Sequence, residues 1–162
     1  MNILYEVELQ FYKPKFLDSL KKFSLPDEQE QFTALPSKML EALPERYPIV
    51  ILSNNEPVGF FVLHTSARVK EYTDNPNAVL LTAFSINHSQ QGKGFAKKGL
   101  EQLKDFIQDE FPSCDEVVLA VNKRNIPAQK LYEKVGYTDT GRRTMGKIGE
   151  QLIFSFHVPP SK

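Results

Sequence analysis

The sequence of 162 residues has little cysteine, little histidine and no excess of charge of either sign. Cys114 is the only cysteine, so the chain cannot form an internal disulfide. The three histidines are scattered, and without a ligand cluster of zinc-like spacing we expect no metal. Twenty Lys and Arg balance twenty Asp and Glu. Without a basic surplus the attraction to phosphate is weak, and we expect no nucleic-acid partner.

Long hydrophobic runs are also missing. No stretch reaches the roughly 18 apolar residues that span a bilayer, and the first residues, charged from Glu6 onward, lack the pattern of an export signal. We therefore expect no membrane partner and a cytoplasmic location. Apolar residues make up 41% of the chain, enough for a buried core, and its length predicts a single domain over residues 1–162.

The first half of the chain predicts one strand and two helical regions. Residues 3–11 alternate apolar and polar side chains, which is typical of a strand with one buried face. Apolar residues at three- and four-residue spacing predict a short helix that starts near Pro14 and ends near Pro26. A second helical region, 27–43, is expected to be broken by Pro36.

The second half predicts alternating strands and helices. Residues 47–52 and 58–65 flank turn residues and predict an antiparallel hairpin. The other expected elements follow in chain order: a loop over 68–77, a strand over 78–86, a turn over 91–96 that opens an amphipathic helix, a strand over 117–121, a helix that Asn125 can cap and Gly136 ends, and strands over 137–144 and 151–158.

A glycine-bearing turn, Q-Q-G-K-G-F-A over 90–96, lies between a predicted strand and a predicted helix. Gly92 and Gly94 would let backbone N–H groups converge, and the helix N-terminus adds partial positive charge, so the turn suits a phosphate. It can equally be a tight connection. It is not an NTPase loop, because no Gly-Lys pair precedes Ser or Thr, and Lys97 replaces the third glycine of a dinucleotide fingerprint.

A second motif follows about 30 residues later and contains Tyr132. Helical periodicity puts Tyr132 on the same face as Ala128 and Leu131, so its ring points inward. Two interpretations are open from the residues alone. Tyr132 is either a core aromatic whose hydroxyl reaches a carbonyl, or a group that faces a ligand.

Two patterns, Q-x-x-G-x-A over 91–96 and N-x-x-A-x-x-L-Y-x-x-x-G-Y over 125–137, stand in a fixed order with one helix and one strand between them. The first resembles the acyl-CoA signature of the GNAT superfamily of N-acetyltransferases. The second resembles the segment that follows that signature in the same family. The resemblance is clear over residues 78–137.

This resemblance implies a single α/β (α+β) domain. Its mixed, mostly antiparallel sheet would be splayed into a V and flanked by about four helices, with acetyl-CoA in the cleft. Tyr132 would be catalytic and sit near the thioester sulfur. The residues implied to bind the cofactor are Phe84, Ile86, Gln91, Gly92, Lys93, Gly94, Phe95, Ala96 and Asn125.

The implied activity is transfer of an acetyl group to a primary amine, of a small molecule, by direct attack in a ternary complex. We expect a monomer or homodimer. Two alternatives are a peptide or protein N-acetyltransferase and an inactive acyl-CoA sensor; a nucleotide-binding protein of another kind is a third.

The residues do not assign a general base. Many relatives carry a carboxylate on the strand before the signature, where this chain has Thr82 and Ala83. An ordered water or one of five side chains could take the amine's proton: Glu28, Glu30, His64, Glu71 or Asp74.

Overall fold

The structure, a computed structural model, describes residues 6–41 and 43–161. Its strands are β1 Glu8–Phe11, β2 Arg46–Ser53, β3 Glu56–His64, β4 Ala78–Ile86, β5 Glu116–Asn122, β6 Thr138–Gly146 and β7 Gly149–His157. Its α-helices are α1 Leu17–Lys21, α2 Asp27–Glu30, α3 Phe95–Glu110 and α4 Ile126–Lys134. The strands form one sheet in the order β1-β2-β3-β4-β5-β7-β6. Every pair is antiparallel except β4 and β5, which confirms the predicted mixed, mostly antiparallel sheet.

The β2–β3 hairpin confirms the sequence prediction. Asn54 and Asn55 form its turn with φ angles of 52° and 65°. Asparagine tolerates this left-handed conformation better than most residues, and two such residues in succession suit a tight hairpin. The hairpin supplies buried side chains to both faces of the sheet.

The parallel pair β4–β5 is joined over a short distance only. Three residue pairs connect the strands, from Ala78 opposite Glu116 to Leu80 opposite Val118. Beyond them β5 stays paired with β7 as far as Asn122, while the edge of β4 that faced β5 has no strand beside it. The sheet therefore opens into the predicted V.

A β-bulge lies in β4 where the V opens. Val62 of β3 is opposite Thr82, whereas Phe60 is opposite Ser85, so β4 has one residue more than β3 in this interval. Within it, Ala83 has a φ of 56°. For a residue with a Cβ this conformation costs about 1–2 kcal/mol, and the extra residue bends the strand and changes the direction of the side chains that follow.

The two faces of the sheet have different cores. On one face α3 packs Leu103 and Ile107 against strand residues such as Ile51 and Phe61. The other face is covered by Phe16, Leu20 and Phe23 around α1, on Phe60 and Val62. Each face of the sheet is thus covered by a packed layer.

Three predicted elements differ from the structure. The strand expected over 3–11 spans Glu8–Phe11, and residues 3–5 lie outside the described residues. The helical region expected over 27–43 is wrong for most of its length, since it contains α2 and a 3₁₀ turn at Pro36–Lys38. Leu35 is extended, with φ −65° and ψ 147°, because a residue before proline is disfavoured in the helical region.

The loop expected over 68–77 likewise contains a 3₁₀ helix, Ala67–Glu71. None of the helices in the described ranges is long and apolar enough to cross a membrane.

Candidate active site

A cleft of about 1210 Å³ opens where β4 and β5 separate. Its walls come from both strands, from the chain after α1, from the glycine-bearing turn and from the start of α4. The lining segments include 28–34, 81–86, 90–92, 94–97, 119–122, 127–128, 131–132 and 147–148. The glycine-bearing turn and the segment that contains Tyr132 are far apart in the sequence but line the same cleft.

The glycine-bearing turn has the geometry expected of a phosphate-binding turn. Gly92 and Gly94 have φ angles of 81° and 83°, which favour glycine. Gly94 is the N-cap of α3 and no side chain caps the helix there. Since the first N–H groups of a helix have no intrahelical acceptor, the sixteen-residue α3 presents donors and a partial positive charge at this end of the cleft. The turn therefore fits the pyrophosphate of a coenzyme A molecule.

Most predicted cofactor residues of this turn line the cleft: Gln91, Gly92, Gly94, Phe95 and Ala96. Lys93 does not line it, and its Nζ donates to Gln90 Oε1 at 3.1 Å. Gln91 has a structural role in addition. Its Nε2 donates to Ile86 O at 3.0 Å and to Gln29 Oε1 at 2.8 Å, so it ties the turn to the end of β4 and to α2.

Phe84 and Ile86, which the resemblance implies bind the cofactor, line the cleft from β4. The Phe84 ring stacks on Phe61 at 5.9 Å between centroids and meets Tyr132 edge-on at 6.4 Å. Along this stretch β4 is not paired with β5. Its backbone can therefore form hydrogen bonds with an extended, amide-bearing ligand such as a pantetheine arm.

Asn125 is placed on the opposite wall and has a local role there. Its Oδ1 accepts a hydrogen bond from Ala128 N at 3.4 Å, which caps α4 as the sequence predicts. Asn125 also lines the cleft.

Tyr132 lines the cleft from α4 and is 8% exposed. Burial raises its pKa well above that of an ordinary tyrosine, so the phenol is protonated at neutral pH. Its ring lies 5.6 Å from that of Tyr137, a second buried tyrosine that does not line the cleft. Tyr132 is therefore packed in the core and also lines the cleft, and its position opposite a ligand stays a prediction.

The opposite side of β4 presents hydroxyl groups that sequence reasoning did not single out. Thr82 and Ser85, on either side of the bulge, line the cleft together with Thr33. Ser85 Oγ and Thr33 Oγ1 are buried, and within the described part of the chain neither has a hydrogen-bond partner. Thr82 Oγ1 lies 2.7 Å from Nε2 of His64, a buried residue of β3. The sequence gives no signal for this set, because the bulge decides which β4 side chains share a face.

The structure separates the five side chains considered as a general base. Glu28 and Glu30 line the cleft, and His64 reaches it through Thr82. Glu71 does not line the cleft, and Asp74 lies in a different depression where it faces Arg142 at 3.5 Å. Among residues 6–41 and 43–161, no group of three or more His, Cys, Asp or Glu side chains is placed to hold a metal ion.

Comparison with known proteins identifies the family. The model of the acetyltransferase (GNAT) family matches residues 14–137, which is most of the chain. The chain belongs to this family. Family membership confirms the predicted resemblance, and with it the fold and acetyl-CoA as co-substrate.

Two proteins of Bacillus subtilis (strain 168) are similar in sequence. The chain is 45% identical over 152 residues to the uncharacterized N-acetyltransferase YbbJ, covering 91% of this chain and 95% of that protein. It is 30% identical over 95 residues to a spermine/spermidine N(1)-acetyltransferase, covering 58% of this chain and 60% of that enzyme.

Solved structures resemble the fold. The aminoglycoside acetyltransferase AAC(6')-Ib in complex with coenzyme A has a TM-score of 0.74 at 18% identity, with 94% of this chain and 95% of that chain covered. The same enzyme in complex with coenzyme A and kanamycin gives 0.74 at 19% identity, with 94% and 95% covered.

Proposed function

We propose that this protein transfers the acetyl group of acetyl-CoA to a primary amine of a small molecule, by direct attack in a ternary complex. The observation that carries the proposal is the arrangement of the cleft. An unpaired stretch of β4 leads from the hydroxyl-bearing bulge to an uncapped helix N-terminus, with the Tyr132 phenol on the facing wall.

The cleft is lined by charges of both signs. Lys97, Arg124 and Lys147 line the cleft on α3, next to α4 and on the β6–β7 turn. They suit the phosphates of the donor. Glu28 and Glu30 line it on α2, where they would attract a cationic amine.

The proposed reaction uses the backbone of β4 and the Tyr132 phenol. Acetyl-CoA supplies a thioester carbonyl that a neutral amine can attack. Backbone N–H groups of the unpaired β4 stretch would stabilise the negative charge that develops on the carbonyl oxygen, a contribution typically of roughly 3–4 kcal/mol. Tyr132, which stays protonated at neutral pH, would donate a hydrogen bond to the departing sulfur.

A small acceptor is the preferred substrate class. The two acidic residues of α2 that line the cleft favour an amine with more than one positive charge. Spermine, spermidine and aminoglycosides, the compounds named for a relative and for structural neighbours, are all polycationic amines. They are the first acceptors to test.

The test is a screen for release of free thiol from acetyl-CoA with spermidine, kanamycin and a peptide that has a free N-terminus. Turnover with spermidine or kanamycin supports the proposal. Turnover with the peptide alone identifies a peptide N-acetyltransferase. Binding of acetyl-CoA without thiol release in the presence of any amine identifies a sensor, the alternative that the lack of a carboxylate on β4 favours.

A further inference from the structure

The contact between His64 and Thr82 connects a buried residue of the sheet to a residue that lines the cleft. His64 on β3 is opposite Leu80, so it is a diagonal neighbour of Thr82 on the same face. Its Nε2 lies 2.7 Å from Thr82 Oγ1, a short separation for a hydrogen bond between these groups. Only 4% of His64 is exposed, whereas Thr82 lines the cleft. The imidazole can therefore act on a ligand only through the threonine hydroxyl.

The imidazole stays neutral in this environment. Burial, together with the positive charges of Arg68 and Arg46, lowers the pKa of His64 to about 4. Proton transfer to it from an ammonium of ordinary pKa, about 10.4, would be unfavourable by roughly 10⁶-fold. His64 is thus unsuited to be the general base that the sequence left open, but a neutral imidazole can accept a hydrogen bond.

We propose that His64 is a positioning residue, which accepts the Thr82 hydroxyl proton in a hydrogen bond and so leaves the lone pairs of Thr82 Oγ1 to accept an N–H of the attacking amine. This inference rests on the proposed function. A neutral amine has one lone pair and two N–H groups. If an N–H is held by Thr82 beside the bulge, the rotation of the amine is restricted and its lone pair is available for the carbonyl carbon.

Two properties of the site agree with this role. The hydroxyl of Thr82 is fixed by a partner, whereas that of Ser85 on the same face has none among the residues described. Thr82 is also the last residue before the extra residue of the bulge, where β4 has already left β5. It therefore lies where the cleft opens, beside the stretch of β4 that is not paired with β5.

The kinetic test uses Thr82→Val, which keeps the shape of the side chain, and Thr82→Ser, which keeps the hydroxyl. With spermidine or kanamycin as acceptor, we expect Thr82→Val to lower kcat/KM for the amine about tenfold with KM for acetyl-CoA unchanged, and Thr82→Ser to stay within about twofold. His64→Leu should lower kcat/KM as Thr82→Val does. His64→Gln should retain activity, because its amide oxygen can accept the hydrogen bond. The double variant with both His64→Leu and Thr82→Val should be no less active than either single variant. Thr140→Val is the matched control, because its hydroxyl donates to Ile153 O on the far strands of the sheet.

A spectroscopic test needs no acceptor. The ¹⁵N chemical shifts of the chain's three histidines report the tautomer of each ring, and His64→Gln assigns the His64 signals. We expect an unprotonated Nε2 in the wild type. A protonated Nε2 would overturn the proposed orientation of the hydroxyl.

The kinetic outcomes separate this inference from the proposed function. If the wild type is active but Thr82→Val leaves kcat/KM unchanged, the proposed role of His64 and Thr82 is wrong. The same holds if the losses in kcat/KM of the two single variants add in the double variant. In both cases the proposed function stands. If the wild type acetylates no amine, the proposed function fails and this role fails with it.

Discussion

Replacing Tyr132 by Phe removes one oxygen atom from the wall of the cleft. The ring contacts with Phe84, at 6.4 Å, and with Tyr137, at 5.6 Å, are kept. A hydrogen bond to a charged group contributes about 1.5–3 kcal/mol, which corresponds to about 10- to 150-fold in rate. If Tyr132 stabilises the departing sulfur, kcat should therefore fall by about 10²-fold, while the affinity for acetyl-CoA stays near that of the wild type.

The assay is the initial rate of thiol release at saturating acetyl-CoA, with calorimetric titration of coenzyme A for the affinity. Tyr137→Phe is the matched control, because Tyr137 is also buried and in ring contact with Tyr132 but does not line the cleft. It should keep wild-type turnover. Equal turnover of Tyr132→Phe and the wild type would show that the phenol is a core group only.

Three further predictions concern the turn, the fold and the acceptor. Gly94→Val should weaken binding of coenzyme A in a calorimetric titration, because valine is strained at a φ of +83°; Gly141→Val, at +85° on β6, is equally strained and should leave binding unchanged. Because the pKa of His64 is lowered to about 4, the unfolded chain binds a proton that the native protein does not as pH falls from about 6.5 towards 4. The free energy of unfolding should fall over this interval, with a contribution from His64 of up to about 3 kcal/mol. In urea titrations at several pH values, His64→Leu should make the free energy of unfolding less dependent on pH. If the amine enters protonated, kcat/KM for the amine should rise between about pH 6 and 9, and a flat profile would mean that another step is limiting.

The elements with strong local signals could be predicted from the sequence. Hydrophobic periodicity and turn residues located the β2–β3 hairpin, β4, α3 and α4, and the two motifs were sufficient to indicate the cleft. Asn125 caps α4 as its position suggested. These features depend on interactions within a few residues, which a sequence displays directly.

The features that were missed depend on contacts between distant segments. Nothing in the residue type of Ala83 predicts a φ of 56°, and the bulge follows from the register of β4 against β3. The His64–Thr82 contact needs the same register. The stretch after α2 has helix-compatible residues but lines the cleft instead. At its end Leu35 is extended, because a residue before proline is disfavoured in the helical region.

Where β4 separates from β5, the sheet has an unpaired edge in the interior of the molecule. An exposed sheet edge can pair with a strand of another chain, and proteins usually protect or cover such edges. Here the bare backbone is recessed between α2 on one side and α4 on the other. The backbone groups that another strand would use are therefore left, in a cleft walled by two helices, for a ligand that carries amide groups.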